Sequence, residues 1–299
     1  MSSIPAYIQR SIAGSYDNEA VAIFALVNTF HLWVKAINTG SILWSCACTL
    51  AYVYMVVAWG GYTFLINLIP IFVLGTMFIM KFNMRIYVTY GIFYTIGCLL
   101  SLPIPFVGHQ VMGSSEHLLS HFTFFMMQLY VVLMYLRSNL KAEVIQSLTR
   151  LIMLFFVTVF LVLILALMLS GKTKLAGRTQ SLLDPSWAKK YNPLIASVSE
   201  HKPTSWPHFF FDCGFTLFLM PVGLYYCLVE KVTMGKFFLA MYGVTSAYFA
   251  GLMTRLILVF APAVCILAAI GVAENWRDAA KSIRVYLTEG CESSGAAVL

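Results

Sequence analysis

Apolar residues run through this chain in long blocks separated by short polar breaks, and the blocks fall at about 21–36, 41–58, 62–80, 86–107, 117–136, 151–170, 209–229, 237–252 and 256–272. Most are close to the ~20 residues an α-helix needs to cross a ~30 Å hydrocarbon layer. The blocks are continuous instead of alternating, which predicts helices and not a barrel: a backbone amide in lipid must be satisfied within its own segment. The expected fold class is therefore an all-α polytopic membrane protein with about nine transmembrane helices and one long structured outer loop. Its expected divisions are an outer segment at 1–19, helices one to six in 20–170, the long loop at 171–207, helices seven to nine in 208–272 and a tail at 273–299.

Composition agrees, with 60% hydrophobic and only 10% charged residues against about 25% charged in an ordinary soluble domain. Charge then sets the orientation. Lys35, Lys81, Arg85, Arg137, Lys141, Arg150, Lys231, Lys236, Arg277, Lys281 and Arg284 all fall on one side of the expected spans, while the short loops of the other side carry only Arg255. The basic side is expected to be cytoplasmic. The net charge of +7 is then a topological signal, and no nucleic-acid partner is expected. The seven cysteines show no disulfide or zinc spacing.

Six of the twelve acidic residues, Asp17, Glu19, Glu116, Asp184, Glu200 and Asp212, are assigned to the outer side. Asp17 and Glu19 stand just before the first apolar block. There they can cap a helix, accepting from its unpaired amides at the positive end of its dipole. Taken alone the pair reads as a cap, and with a further converging carboxylate it forms half of a site for Mg2+ or Mn2+, which favour oxygen ligands. Glu200, in the stretch IASVSEHKPTSW (195–206), is the carboxylate that could converge on it. The loop 171–207 carries apolar anchors such as Trp187, Tyr191 and Trp206, so part of it should dock, as lids and binding loops do. Trp206 and Phe209–Phe211 read as an interfacial aromatic belt. Arg255 either snorkels to the interface or meets an anion, and its planar fork suits phosphate oxygens. His31 and His121 read as core histidines, His109, His117 and His201 as residues near the outer face.

Taken together, QRSIAGSYDNE, AWGGYTFLINLIP, GSSEH, SLLDPSWAKK, IASVSEHKPTSW, MPVGLYYC and MYGVTSAYFAGLMTRLILVFAPAVCIL closely resemble the catalytic subunit of eukaryotic oligosaccharyltransferase, in order, from about Gln9 to Gly271. The resemblance implies a metal-dependent, inverting glycosyltransferase of the endoplasmic reticulum membrane with its active face lumenal. It implies transfer of an oligosaccharide from dolichyl diphosphate to the Asn of Asn-x-Ser/Thr sequons on nascent chains, alongside other oligosaccharyltransferase subunits. On this likeness Asp17, Glu19, Glu200 and Arg10 are catalytic residues. Asp17 and Glu200 hold Mg2+ or Mn2+, Arg255 holds the donor diphosphate, and Trp59, Ser197 and His201 bind substrate.

The family chain has further spans and an acidic motif upstream, and a lumenal domain with a W-W-D-Y-G motif downstream. The expectation is therefore an incomplete form without independent turnover. Two other readings are a catalytically inactive subunit of the same complex and a transporter of a lipid-linked or anionic substrate. Against the transporter, the acids cluster at one face and no inverted repeat is evident.

Overall fold

The computed structural model describes residues 4–79, 82–108, 110–139, parts of 147–165, 197–229 and 231–296, and among these no strand occurs. The chain forms two compact units, one comprising Asn18–Ser197 and the other Met1–Asp17 with Val198–Leu299. Nine of the twenty residues of the expected span at 151–170, and residues 171–196 of the expected long loop, lie outside the described residues.

In the first unit the apolar blocks become α2 (Asn18–Thr39), α3 (Ile42–Ala58), α4 (Tyr62–Phe78), α5 (Met84–Ser101), a short α6 (Gln110–Gly113) and α7 (Leu118–Asn139). Helix α2 stops where Gly40 takes φ +71°, a conformation only glycine adopts readily. Its carbonyl end is also met by Arg85, whose guanidinium donates to the Asn38 carbonyl at 2.7 Å. Helix α5 begins at an Asn83 cap that accepts from the Arg85 amide.

The core of this unit is aromatic. Trp33, fully buried, meets the edges of Phe72, Tyr90 and Phe93 at ring-centre distances of 6.3, 6.4 and 5.7 Å. Such edge-to-face pairs add to the packing term. Several polar groups between these helices find neutral partners. Tyr90 donates to the Ser120 carbonyl at 3.0 Å, Ser45 to Thr89 at 3.3 Å, and His121 is bonded to Tyr94 on one nitrogen and to the Val111 carbonyl on the other. His121 is thus the satisfied histidine expected of it, whereas His31 is exposed and is not a core residue.

The second unit holds α1 (Pro5–Ile8), α8 (Trp206–Cys213), α9 (Thr216–Val229), α10 (Met234–Leu252) and α11 (Ile257–Ala296). Helix α9 lies hard against α11. A methyl group on Gly223 would stand 1.8 Å from the Leu267 carbonyl oxygen, and one on Gly271 would stand 2.9 Å from the Gly223 nitrogen. This is the close backbone approach that small residues permit between helices in lipid. The buried Tyr242 hydroxyl donates to the Val259 carbonyl at 2.6 Å and ties α10 to α11.

The expected span at 209–229 is not one straight helix. Gly214 adopts φ +58° and ψ −145°, closes the last turn of α8, and α9 leaves at 85° to it. The span expected at 256–272 also extends: α11 runs for 40 residues into the expected tail. By length and apolarity three described helical stretches suffice to cross a membrane, Asn18–Thr39, Leu118–Tyr135 and Thr254–Val285, or four if the bent pair counts as one span. Ile42–Ala58 and Tyr62–Phe78 are apolar but shorter.

Candidate functional site

The polar residues of the second unit gather where its loops meet. Helix α1 carries the chain into Gln9 and Arg10, and a loop through Gly14 (φ +89°) brings it back. The loop closes with the Asp17 amide donating to the Arg10 carbonyl at 3.3 Å. This return sets the Asp17 carboxylate 3.9 Å from the Arg10 guanidinium. From the other side, a 3-10 turn at Ser199–His201 delivers Glu200, which forms an ion pair and a hydrogen bond with the same guanidinium. Two carboxylates nearly 200 residues apart in sequence therefore share one arginine.

A cavity of about 250 Å³ opens beside this cluster, lined by Gln9, Arg10, Glu200, His208, Asp212 and Arg255 among others. Arg255 reaches it from a second 3-10 turn, Thr254–Leu256, between α10 and α11. The cavity thus offers two guanidinium groups and two carboxylates within one small volume. Guanidinium forks bind diphosphate oxygens in bidentate fashion, and a carboxylate accepts the N–H bonds of an amide.

The sequence-predicted residues divide cleanly. Arg10, Asp17 and Glu200 are joined by ion pairs, and Arg255 shares the cavity with Arg10 and Glu200. His201 lies in the Glu200 turn but does not line the cavity. Glu19, Trp59 and Ser197 belong to the other unit. There Glu19 is fully buried in the first turn of α2, Trp59 ends α3 with its ring over Gly61, and Ser197 is exposed.

The pairing of Asp17 with Glu200 matches the expected metal ligands in identity but not in arrangement. Both bond the Arg10 guanidinium, so a divalent cation shared by them would meet a fixed positive charge. Among the described residues no group of three potential ligands forms. As arranged, the pair does not fit the ion.

The model of the N-terminal region of oligosaccharyl transferase STT3 matches residues 1–268. The chain belongs to the STT3 family. It is 45% identical over 282 residues to the dolichyl-diphosphooligosaccharide-protein glycosyltransferase subunit STT3 of Dictyostelium discoideum, which covers 94% of this chain and 39% of that protein. It is 46% identical to the STT3B subunit of Arabidopsis thaliana, again over 94% of this chain and 38% of the relative. It therefore spans well under half the length of these relatives. In fold it is similar to the apo oligosaccharyltransferase of Archaeoglobus fulgidus, with a TM-score of 0.72 at 15% identity over 94% of this chain and 36% of that one. A second structure of that archaeal enzyme, tethered to an acceptor peptide containing the NVT sequon, gives 0.65 at 14% identity over 92% and 34%.

Sequence reasoning about this STT3-family chain missed Gln9, His208 and Asp212 as site residues. Gln9 donates to the Asp212 carboxylate at 3.1 Å, so Asp212 fixes the end of α1 immediately before Arg10. Asp212 is 9% exposed, the burial of a core residue. Its signal was present in FFFDCG: a carboxylate inside an aromatic run is costly unless it is paired. Of the residues expected to form an aromatic belt, Trp206, Phe210 and Phe211 are exposed, while Phe209 packs on Phe260.

Proposed function

We propose that this chain carries the donor and acceptor contacts of an oligosaccharyltransferase, moving an oligosaccharide from dolichyl diphosphate to the side-chain amide of Asn in Asn-x-Ser/Thr sequons. The observation that carries the reading is the convergence of Arg10, Glu200 and Arg255 on one cavity in a member of the STT3 family. The solved archaeal relative in complex with an inhibitory peptide and a dolichol-phosphate supports the two substrate classes. The proposed setting is the endoplasmic reticulum membrane, with about nine spans, a lumenal active face and further oligosaccharyltransferase subunits beside it.

The amide nitrogen is a poor nucleophile because its lone pair is shared with the carbonyl. Glu200 accepts an N–H of the acceptor Asn, orients the nitrogen and localises its lone pair. The nitrogen attacks C1 of the first sugar from the face opposite the diphosphate. The N–C1 bond forms as the C1–O bond breaks, the electron pair leaves on the diphosphate oxygen, and the proton shed by nitrogen passes to the carboxylate. Displacement in this sense inverts C1. Arg255 stabilises the charge that grows on the leaving diphosphate, where preorganised donors act most strongly. Arg10 keeps Asp17 and Glu200 together before the acceptor arrives.

The test is a chimaera in which residues 9–271 replace the matching segment of the Dictyostelium subunit, expressed in cells lacking that subunit. The chimaera should restore sequon glycosylation, and its Glu200→Gln form should lower transfer by about 10²-fold or more. An inactive chimaera that assembles normally would instead favour the catalytically silent subunit. Full activity of Glu200→Gln would remove Glu200 from the mechanism.

A further inference from the structure

Two segments some fifty residues apart are laced together beside the cavity. The Thr204 amide donates to the Gly251 carbonyl at 3.2 Å, and its hydroxyl donates to the Ala250 carbonyl. In the opposite sense, the Thr254 amide and hydroxyl both donate to the Lys202 carbonyl, at 3.1 and 3.0 Å. Ala250 and Gly251 sit in the last turn of α10, where the helix leaves its final carbonyls without internal partners. Residues 202–204 thus cap that helix end. Pro203 stands between the two bonding residues, and its ring fixes φ near −65° in a short link that can flex little.

The lacing lies between the two chemical groups of the site. Glu200 is two residues before Lys202, and Arg255 follows Thr254 directly. Four hydrogen bonds therefore set the backbone that carries the acceptor's carboxylate against the backbone that carries the donor's guanidinium.

We propose that Thr204 and Thr254 are positioning residues that hold Glu200 and Arg255 in register, so that acceptor nitrogen and donor C1 meet at reacting distance. This rests on reading the site as a transferase site. Each side chain binds its own substrate, so slack in the clamp leaves both affinities alone. What slack changes is the fraction of time the reacting atoms are aligned, and a misplacement of ~1 Å can cost about 10²-fold in rate. Hydroxyl loss is therefore a kcat defect.

The experiment compares the chimaera with its Thr204→Val/Thr254→Val and Thr204→Ser/Thr254→Ser forms, using a lipid-linked oligosaccharide and a sequon peptide. Valine keeps the branched shape and removes only the hydroxyls. The valine form should lose about tenfold or more in kcat with both KM values within about twofold, and the serine form should recover kcat. Backbone hydrogen exchange at 199–205 should rise in the valine form and not in the serine form. Unchanged kcat in the valine form, an equal loss in the serine form, or a defect confined to KM would each overturn the clamp. If the double variant does not fold, Thr254→Val alone is read by the same criteria. The exchange measurement needs no turnover, so an inactive chimaera with a clamp-dependent exchange pattern would refute the transferase reading and leave the clamp standing.

Discussion

The two units solve the problem of polar groups in an apolar chain in opposite ways. Around Trp33 the groups between helices are aromatic rings and neutral donors, with Tyr90 seated on a carbonyl, Ser45 on a hydroxyl and the rings on one another. Around Arg10 they are charges, about a quarter to under half exposed, grouped beside an open cavity. Close-packed rings resist change because any volume removed leaves a void. Paired charges beside a cavity are held for what enters it. The contrast teaches that the Asn18–Ser197 unit should govern stability, and the unit built from the chain's two ends should govern chemistry.

The largest effect that would break this division comes from Trp33→Ala. Removing a fully buried ring should cost about 3–5 kcal/mol of stability, read as a lower unfolding temperature of the purified chimaera in detergent. The surviving folded fraction should keep the wild-type acceptor KM. A variant that melts normally but binds acceptor poorly would reverse the assignment of roles. Arg10→Gln comes next and acts on the other side. Its ion pairs are partly solvated and add little to stability, so melting should shift by no more than about 0.5 kcal/mol. Transfer should fall by about 10²-fold, because the two carboxylates lose the cation that gathers them. Arg10→Lys should recover only part of the rate, since a point charge cannot bond both carboxylates as a fork does.

Much of this was legible in the sequence because it followed from local rules. Helices α2, α3, α4, α7 and α10 fall on the apolar blocks, with ends marked by Gly40 and Thr233. Arg10, Asp17, Glu200 and Arg255 came from motif likeness, and the fold brings Arg10 and Glu200 together with Arg255 across more than 240 residues of chain. What escaped was contextual. The bonding of both carboxylates to Arg10 depends on the return of one loop, and no spacing rule encodes it. Asp212 looked like one more outer acid because its partner, Gln9, lies 203 residues away. The block 209–229 read as one helix because hydropathy averages over Gly214, although a glycine followed by Phe215 and Thr216 was a possible break.

That glycine offers the smallest and cleanest test of the comparison. Its φ of +58° with ψ of −145° lies in a region essentially reserved for glycine, and a methyl group there would touch nothing within 4 Å. The cost of Gly214→Ala is therefore purely conformational, about 1–3 kcal/mol. The chain can bear that cost in two ways, by melting earlier or by relaxing the 85° bend between α8 and α9. Relaxing the bend would move Asp212 and His208 from the cavity and expose Cys213, which is now 2% accessible. Maleimide labelling of Cys213 separates the two responses. Earlier melting with Cys213 still protected means the bend is held by the packing around it. Labelling with a lowered transfer rate means the glycine itself shapes the site. Unchanged melting with Cys213 protected would show that the backbone here tolerates a side chain, and that the break in the seventh apolar block has another origin.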